Sequence, residues 1–165
     1  MMKRKWLKEI AVSLVLLVVM TIAIDIWRGR DMPNTLNVNT QIALLNGQQL
    51  DIAEMSEDTP VVIYFWATWC GVCKWVSPSV DWLSQSMPVV SVALRSGDDE
   101  RLQGYIDAHE YQMLTFNDSR GEWSHDWSVK VTPTIAIVYQ GEVRHVTTGF
   151  TTPMGIVLRR WLSQF

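Results

Sequence analysis

Cysteine is nearly absent from this sequence. There are two, Cys70 and Cys73, and both lie in the stretch FWATWCGVCK at residues 65–74. No second C-x-x-C follows, and His109, His125 and His145 are scattered, so a structural zinc site with four Cys/His ligands is excluded. Lys74 stands where a c-type haem attachment needs histidine, which excludes that role too. A bridge between the two cysteines would close a loop of four residues and constrain the unfolded chain little, which argues against a simple staple. A redox dithiol and a Cu(I) clamp remain, since two soft thiolates suit that ion. The eight methionines form no cluster that would extend such a clamp.

Basic charge is scarce beyond residue 30. Residues 1–30 hold six Lys/Arg against Glu9 and Asp25, a balance of +4, whereas residues 31–165 hold eight against fifteen acids, a balance of −7. Phosphate contact needs a basic surface, so no nucleic-acid partner is expected. Internal repeats and low-complexity runs are missing as well. Hydrophobic content of 48% with nine tryptophans excludes disorder, and 165 residues give room for one domain and a short appendage.

A third absence is local. Ile10 to Ile24 carries no charge, and Trp6 and Trp27 flank it 21 positions apart. At 1.5 Å per residue that is about 32 Å, one hydrocarbon thickness, with tryptophan at both interfaces. Residues 1–30 therefore read as a cytoplasmic tip and a single transmembrane anchor, inserted through residues 10–26. The alternative is a cleaved signal peptide, for which Thr21 and Ala23 are weak sites inside the apolar run. Lys3, Arg4, Lys5 and Lys8 keep the N-terminus in the cytoplasm. Either way the domain is exported, where disulfides persist. Residues 31–39, polar and containing Pro33, read as a linker, and 40–165 as the domain.

Within the domain, QIALL, Asn46-Gly47 and QQL signal a hairpin in which Asn-Gly supplies two positive φ values. Asp51 with Glu54 reads as a capped short helix through Ser56. The unbroken apolar runs Val61–Trp66 and Val89–Leu94 predict strands buried on both faces. Between them Trp75, Val76, Val80 and Leu83 recur at helical spacing from Gly71 to about Gln85, with Pro78 expected to kink that helix. Ser96-Gly97-Asp98 caps a helix to about His109 with Leu102, Tyr105 and Ile106 inward, followed by a loop or short helix through Trp127. Thr134–Tyr139 and Glu142–Thr148 predict two more strands, and Pro153 opens a closing helix with Ile156, Val157, Leu158 and Trp161 as its core face. This order predicts an α/β fold, a mixed sheet with helices on both faces.

Cys70 then falls at the start of a helix, near the carboxyl edge of a central strand. A helix N-terminus and C-x-x-C spacing both lower a thiol's pKa, so Cys70 reads as the attacking sulfur and Cys73 as the resolving one. VVIYFWATWCGVCK, with the hairpin ahead of it, the N-terminal anchor and Pro78 five residues past Cys73, resembles the membrane-anchored, TlpA-like branch of the thioredoxin superfamily. The resemblance implies a thioredoxin fold and a protein disulfide oxidoreductase that needs no cofactor. It implies an inner-membrane protein with its catalytic domain in the periplasm, exported protein substrates, a transmembrane reductase as electron donor, and a link to copper tolerance. It also implies that Val131-Thr132-Pro133-Thr134 is the loop whose proline is cis beside the dithiol. Thr132 would then pair by its backbone with an incoming chain, and Trp69 would join the docking surface. Trp66 reads as core, and Trp69 reads equally as core. Two positions depart from the family: Tyr64 stands where cytoplasmic thioredoxins hold a buried aspartate, and Val76 where many anchored reductases hold a glutamate.

Overall fold

Gly47, at φ +82°, is the one left-handed residue of the hairpin turn. Asn46 contributes differently from its expected role, its side-chain oxygen accepting the Gln48 N–H at 3.0 Å. That turn joins β1 (Gln41–Ala43) to β2 (Gln49–Asp51), which pair antiparallel. Asp51 ends β2 and caps α1 (Ile52–Asp58), accepting the Ala53 N–H at 2.9 Å and the Glu54 N–H at 3.5 Å. The computed structural model describes residues 8–10, 12, 13, 15, 16, 19, 20, 23, 32, 33 and 40–165. Among the described residues no helix is long and apolar enough to cross a membrane. Most of the expected anchor (residues 1–30, inserted through 10–26) and linker (31–39) lies outside the described residues.

The main sheet has five strands in the order β5-β4-β3-β6-β7. They are β3 (Val61–Trp66), β4 (Val89–Leu94), β5 (Leu114–Asp118), β6 (Thr134–Tyr139) and β7 (Glu142–Thr148). β3 pairs parallel with β4, and β4 with β5, while β6 runs antiparallel to both β3 and β7. Central β3 is buried along its whole length, as its unbroken apolar run requires. Each such side chain removed from water contributes about 1.5–3 kcal/mol.

The helices divide between the two faces. On one, Val62, Tyr64 and Trp66 meet α2 (Cys73–Ser84), α3 (Asp99–Ala108) and α5 (Pro153–Leu162) through Val76, Val80, Leu102, Ile106 and Ile156. On the other, Val61, Ile63 and Phe65 meet the hairpin, α1 and α4 (Glu122–Asp126), with Trp123 stacked on Phe65 and Trp127 tilted against it. The hairpin also covers the outer edge of β5, where the Leu45 N–H donates to the Thr115 carbonyl at 2.9 Å.

Further expectations are corrected. Leu114–Asp118, expected as loop or short helix, is strand β5, because β4 on one side and the hairpin on the other supply partners its short polar sequence does not advertise. The helix after the dithiol begins at Cys73 rather than Gly71, so Cys70 precedes its first turn; Pro78 lies inside it without ending it. Trp75, expected inward, is 77% exposed, and Val157, Leu158 and Trp161 on α5 are exposed, leaving Ile156 to face the sheet. Consecutive apolar residues stand about 100° apart on a helix, so Ile156, Val157 and Leu158 cannot share one face.

Candidate active site

Register alone brings three loops to one edge of the sheet. Trp66, the last residue of β3, pairs with Ala93 of β4, and Phe65 pairs with Thr134, the first residue of β6. The segments 67–72, 95–98 and 131–133 therefore leave or enter the sheet side by side. The first carries the dithiol. Its backbone turns where the Cys70 N–H donates to the Ala67 carbonyl at 3.1 Å, and α2 begins three residues later.

Cys70 and Cys73 are joined in a disulfide with Cα atoms 5.3 Å apart. Both sulfurs belong to the core cluster beneath the loop, Cys70 being 6% exposed and Cys73 1%. The Cys73 N–H, at the open end of α2, points at the Cys70 sulfur from 3.2 Å. A helix's first N–H groups have no intrahelical acceptor, so in the reduced state this one favours a thiolate on Cys70. Among the described residues no group of three or more His, Cys, Asp or Glu could hold a metal ion. While the disulfide is formed, neither sulfur has a free thiolate to offer Cu(I).

Trp69 lies outside the core. It is 63% exposed, and its indole Nε1 donates to the Arg95 carbonyl at 3.0 Å. Trp66 is core, 1% exposed, in ring contact with Tyr64, Tyr105 and Tyr111. The Thr132–Pro133 peptide bond is cis. Pro133 is buried, Thr132 half-buried, and the Pro133 carbonyl accepts the Gly149 N–H at 2.8 Å. That bond brings exposed Phe150 to the same edge as exposed Val131 and Val72. The result is an apolar rim around a nearly enclosed dithiol.

Beneath the dithiol, Tyr64 from β3 and Ser77 from α2 share a buried hydrogen bond of 2.9 Å. Ser77 lies four residues past Cys73, hence one turn further on the same helix face. Burial pushes the Tyr64 hydroxyl far above the ordinary phenol range, with the Ser77 bond opposing only in part. Tyr111 is shifted upward as well, first by burial and then by the neighbouring Tyr105. Val76, the other departure from the family, is fully buried. The nearest acid on the inner face of α2, Asp81, is occupied with the backbone N–H groups of Gln112 and Met113 at 2.6 and 2.9 Å. No carboxylate is free beside Cys73 among these residues.

Sequence reasoning placed Cys70, Cys73, Trp69, Thr132 and Pro133, and the fold brings their segments to one edge. It missed Ser77, Ser96 and Arg95. Ser77 was within reach, because Cys73 and Ser77 share the i, i+4 spacing of one helix face. Ser96, whose hydroxyl accepts the Thr68 N–H at 3.1 Å, and Arg95 come from the far end of β4, and only the parallel pairing reveals them.

Comparison with known proteins agrees with this geometry. The family model described as Redoxin matches residues 28–154. A thioredoxin-like protein of Haemophilus influenzae is 36% identical over 166 residues, covering 99% of both chains. The probable thiol:disulfide interchange protein DsbE-2 of Pasteurella multocida is 32% identical over 89 residues, which span 53% of this chain and 47% of that one. Among solved structures, the exposed lipoprotein thioredoxin Etrx1 of Streptococcus pneumoniae aligns with TM-score 0.68 at 17% identity, over 76% of this chain and 99% of that one. A secreted disulfide oxidoreductase of Mycobacterium tuberculosis aligns with TM-score 0.63 at 20% identity, over 75% and 96%. The last two likenesses bear on the fold alone.

Proposed function

The chain belongs to the redoxin family and is a thiol:disulfide oxidoreductase; from that premise we propose that it exchanges its dithiol with exported proteins through Cys70. The Cys70 thiolate attacks one sulfur of a substrate disulfide, forming a mixed disulfide and releasing the other substrate sulfur as a thiolate. The Cys73 thiolate then attacks the Cys70 sulfur, breaks the mixed disulfide and frees the second substrate thiol. Two electrons pass to the substrate, and the Cys70–Cys73 disulfide remains. The observation that carries this assignment is the Cys73 N–H aimed at the Cys70 sulfur at the rim, with Cys73 the more deeply enclosed of the two. Trp69, Thr132 and Pro133 form the docking edge in this reading.

We further propose an inner-membrane anchor through residues 10–26, a periplasmic catalytic domain, and a transmembrane reductase that returns the dithiol to its reduced form. VALRSGDDE together with FWATWCGVC and VTPT resembles suppressor of copper sensitivity protein D, which supports a role in protecting exported thiols against copper. The competing reading is a Cu(I)-binding module using the same two thiolates. Reduction of insulin disulfides, with and without a Cu(I) chelator, separates them. Turnover unaffected by the chelator and lost in Cys70→Ala supports exchange, whereas no turnover and stoichiometric Cu(I) binding supports the module.

A further inference from the structure

A groove of about 430 Å³ opens beside the dithiol loop. Thr68 and Trp69 of that loop line it together with Arg95, Ser96, Arg101 and Tyr105. Both charged lining residues are arginines, and no carboxylate lines the groove with them, although residues 31–165 carry a net −7.

The Arg95 stem is held in place. Arg95 occupies the left-handed region at φ +46°, uncommon for a residue with a Cβ. Its N–H donates to the Asp118 carbonyl at 3.0 Å, and its own carbonyl takes the Trp69 indole N–H at 3.0 Å. Its Nε donates to the Arg120 carbonyl at 3.2 Å, which fixes the stem while leaving both terminal nitrogens unspent. Two left-handed glycines make room for the pair. A Cβ on Gly97 would fall 2.8 Å from the Arg101 Cδ, and one on Gly121 would fall 2.7 Å from the Arg95 Nε. The same Arg95 turn therefore pins Trp69, the residue before the attacking sulfur, and presents a guanidinium beside it.

We infer that this groove receives an acidic side chain of the polypeptide substrate, a Glu or Asp within two residues of the cysteine that Cys70 attacks. The inference rests on the disulfide-exchange reading and names its substrate class. A guanidinium offers a planar fork of donors that matches a carboxylate, which a lysine ammonium does not. Trp69, the residue before Cys70, lines the groove, and two extended residues of a substrate reach about 7 Å from the attacked cysteine. Long-range attraction is not involved: the acidic domain repels such a chain at a distance, and screening confines that repulsion to about 8 Å at physiological salt. Selection then happens at contact.

The test uses the reduced full chain and disulfide-linked peptide pairs that differ only in Glu, Gln or Lys beside the cysteine. Second-order exchange rates at about 0.15 M salt are expected in the order Glu, Gln, Lys, with a Glu-to-Gln ratio of about two to five, the scale of one exposed charge pair. Arg101→Gln and Arg95→Gln should each pull that ratio toward one, and Arg101→Lys should retain part of it. Arg101 is exposed on α3, so its variants decide the matter even if Arg95→Gln does not fold. A wild-type ratio of one or less, or a ratio that survives both Gln substitutions, overturns the inference while exchange itself stands. Absence of exchange with every peptide overturns the disulfide-exchange reading, and the inference with it.

Discussion

Tyr64 and Val76 are the two residues at which this site parts from the pattern it resembles. The Tyr64 hydroxyl is held by Ser77 and pushed far above neutrality by burial, so it is no base at pH 7. Val76 is fully enclosed. Resolution of a mixed disulfide then depends on ionisation of Cys73 itself. The exchange rate of the wild type should rise with pH between about 6 and 9, through the ordinary thiol range. Val76→Glu should raise the neutral rate, toward the roughly 10²–10⁴-fold that a positioned base supplies, while changing the alkaline rate little. Burying that carboxylate should cost stability. Stopped-flow exchange against pH for both proteins checks this; a flat wild-type profile, or a Glu variant no faster at neutrality, means another base already serves Cys73. Tyr64→Phe removes one of two tyrosine partners of the buried Ser77 hydroxyl, Tyr111 being the other, with an expected loss of about 0.5–1.5 kcal/mol in urea unfolding and no shift of the pH–rate profile. Both departures were legible in the sequence by their distance from the cysteines. The position of Ser77 one turn past Cys73 could be read from spacing, but its bond to Tyr64 could not, because a hydrogen bond between a strand and a helix is a product of packing.

At the scale of elements, α5 shows where periodicity misleads. The run Ile156-Val157-Leu158 reads as a core face, yet the helix turns only Ile156 to the sheet and leaves Leu158 53% exposed. Ile156→Ala should therefore cost about 2–5 kcal/mol and Leu158→Ala under about 1 kcal/mol, measured by chemical denaturation. Comparable losses at both positions would contradict the observed phase of the helix. Strand β5 erred in the other direction: LTFND has no strong strand signal and exists because β4 and the hairpin flank it. The long apolar runs of β3, β4 and β6 were legible for the opposite reason, since burial on both faces needs no partner-specific pattern. One titration links β7 to α5. His145 is held below its ordinary 6.5 by burial and then by the Arg159 charge. The unfolded chain takes up this proton more readily, so stability is full above about 6.5 and falls as pH drops from there through the folded-state value. His145→Asn should flatten that part of the urea-unfolding profile; an unchanged slope assigns it to another group.

For the whole molecule, the decisive fact is that one sheet edge gathers the ends of β3 and β4 and the start of β6, and with them the dithiol loop, the arginine turn and the cis-proline loop. The sequence made the dithiol and the proline visible as motifs, whereas VALRSGDDE gave no sign that its arginine turn lies beside the dithiol, which only the parallel pairing of β3 with β4 reveals. The charge split, +4 in residues 1–30 against −7 beyond, belongs to this scale too. With an uncleaved anchor, the protein should remain with the membrane through high-salt washing and begin near Met1. A soluble form beginning near Ile24 would instead make the first segment a signal peptide.

The central claim is the division of labour between two sulfurs, and trapping tests it most directly. Cys73→Ala, reduced and mixed with a disulfide-bonded protein, should accumulate a mixed disulfide that peptide mapping by mass spectrometry places on Cys70. Cys70→Ala under the same conditions should trap nothing, since the remaining sulfur is the more enclosed of the two. Equal trapping by both variants would contradict the assignment of Cys70 as the attacking sulfur and Cys73 as the resolving one.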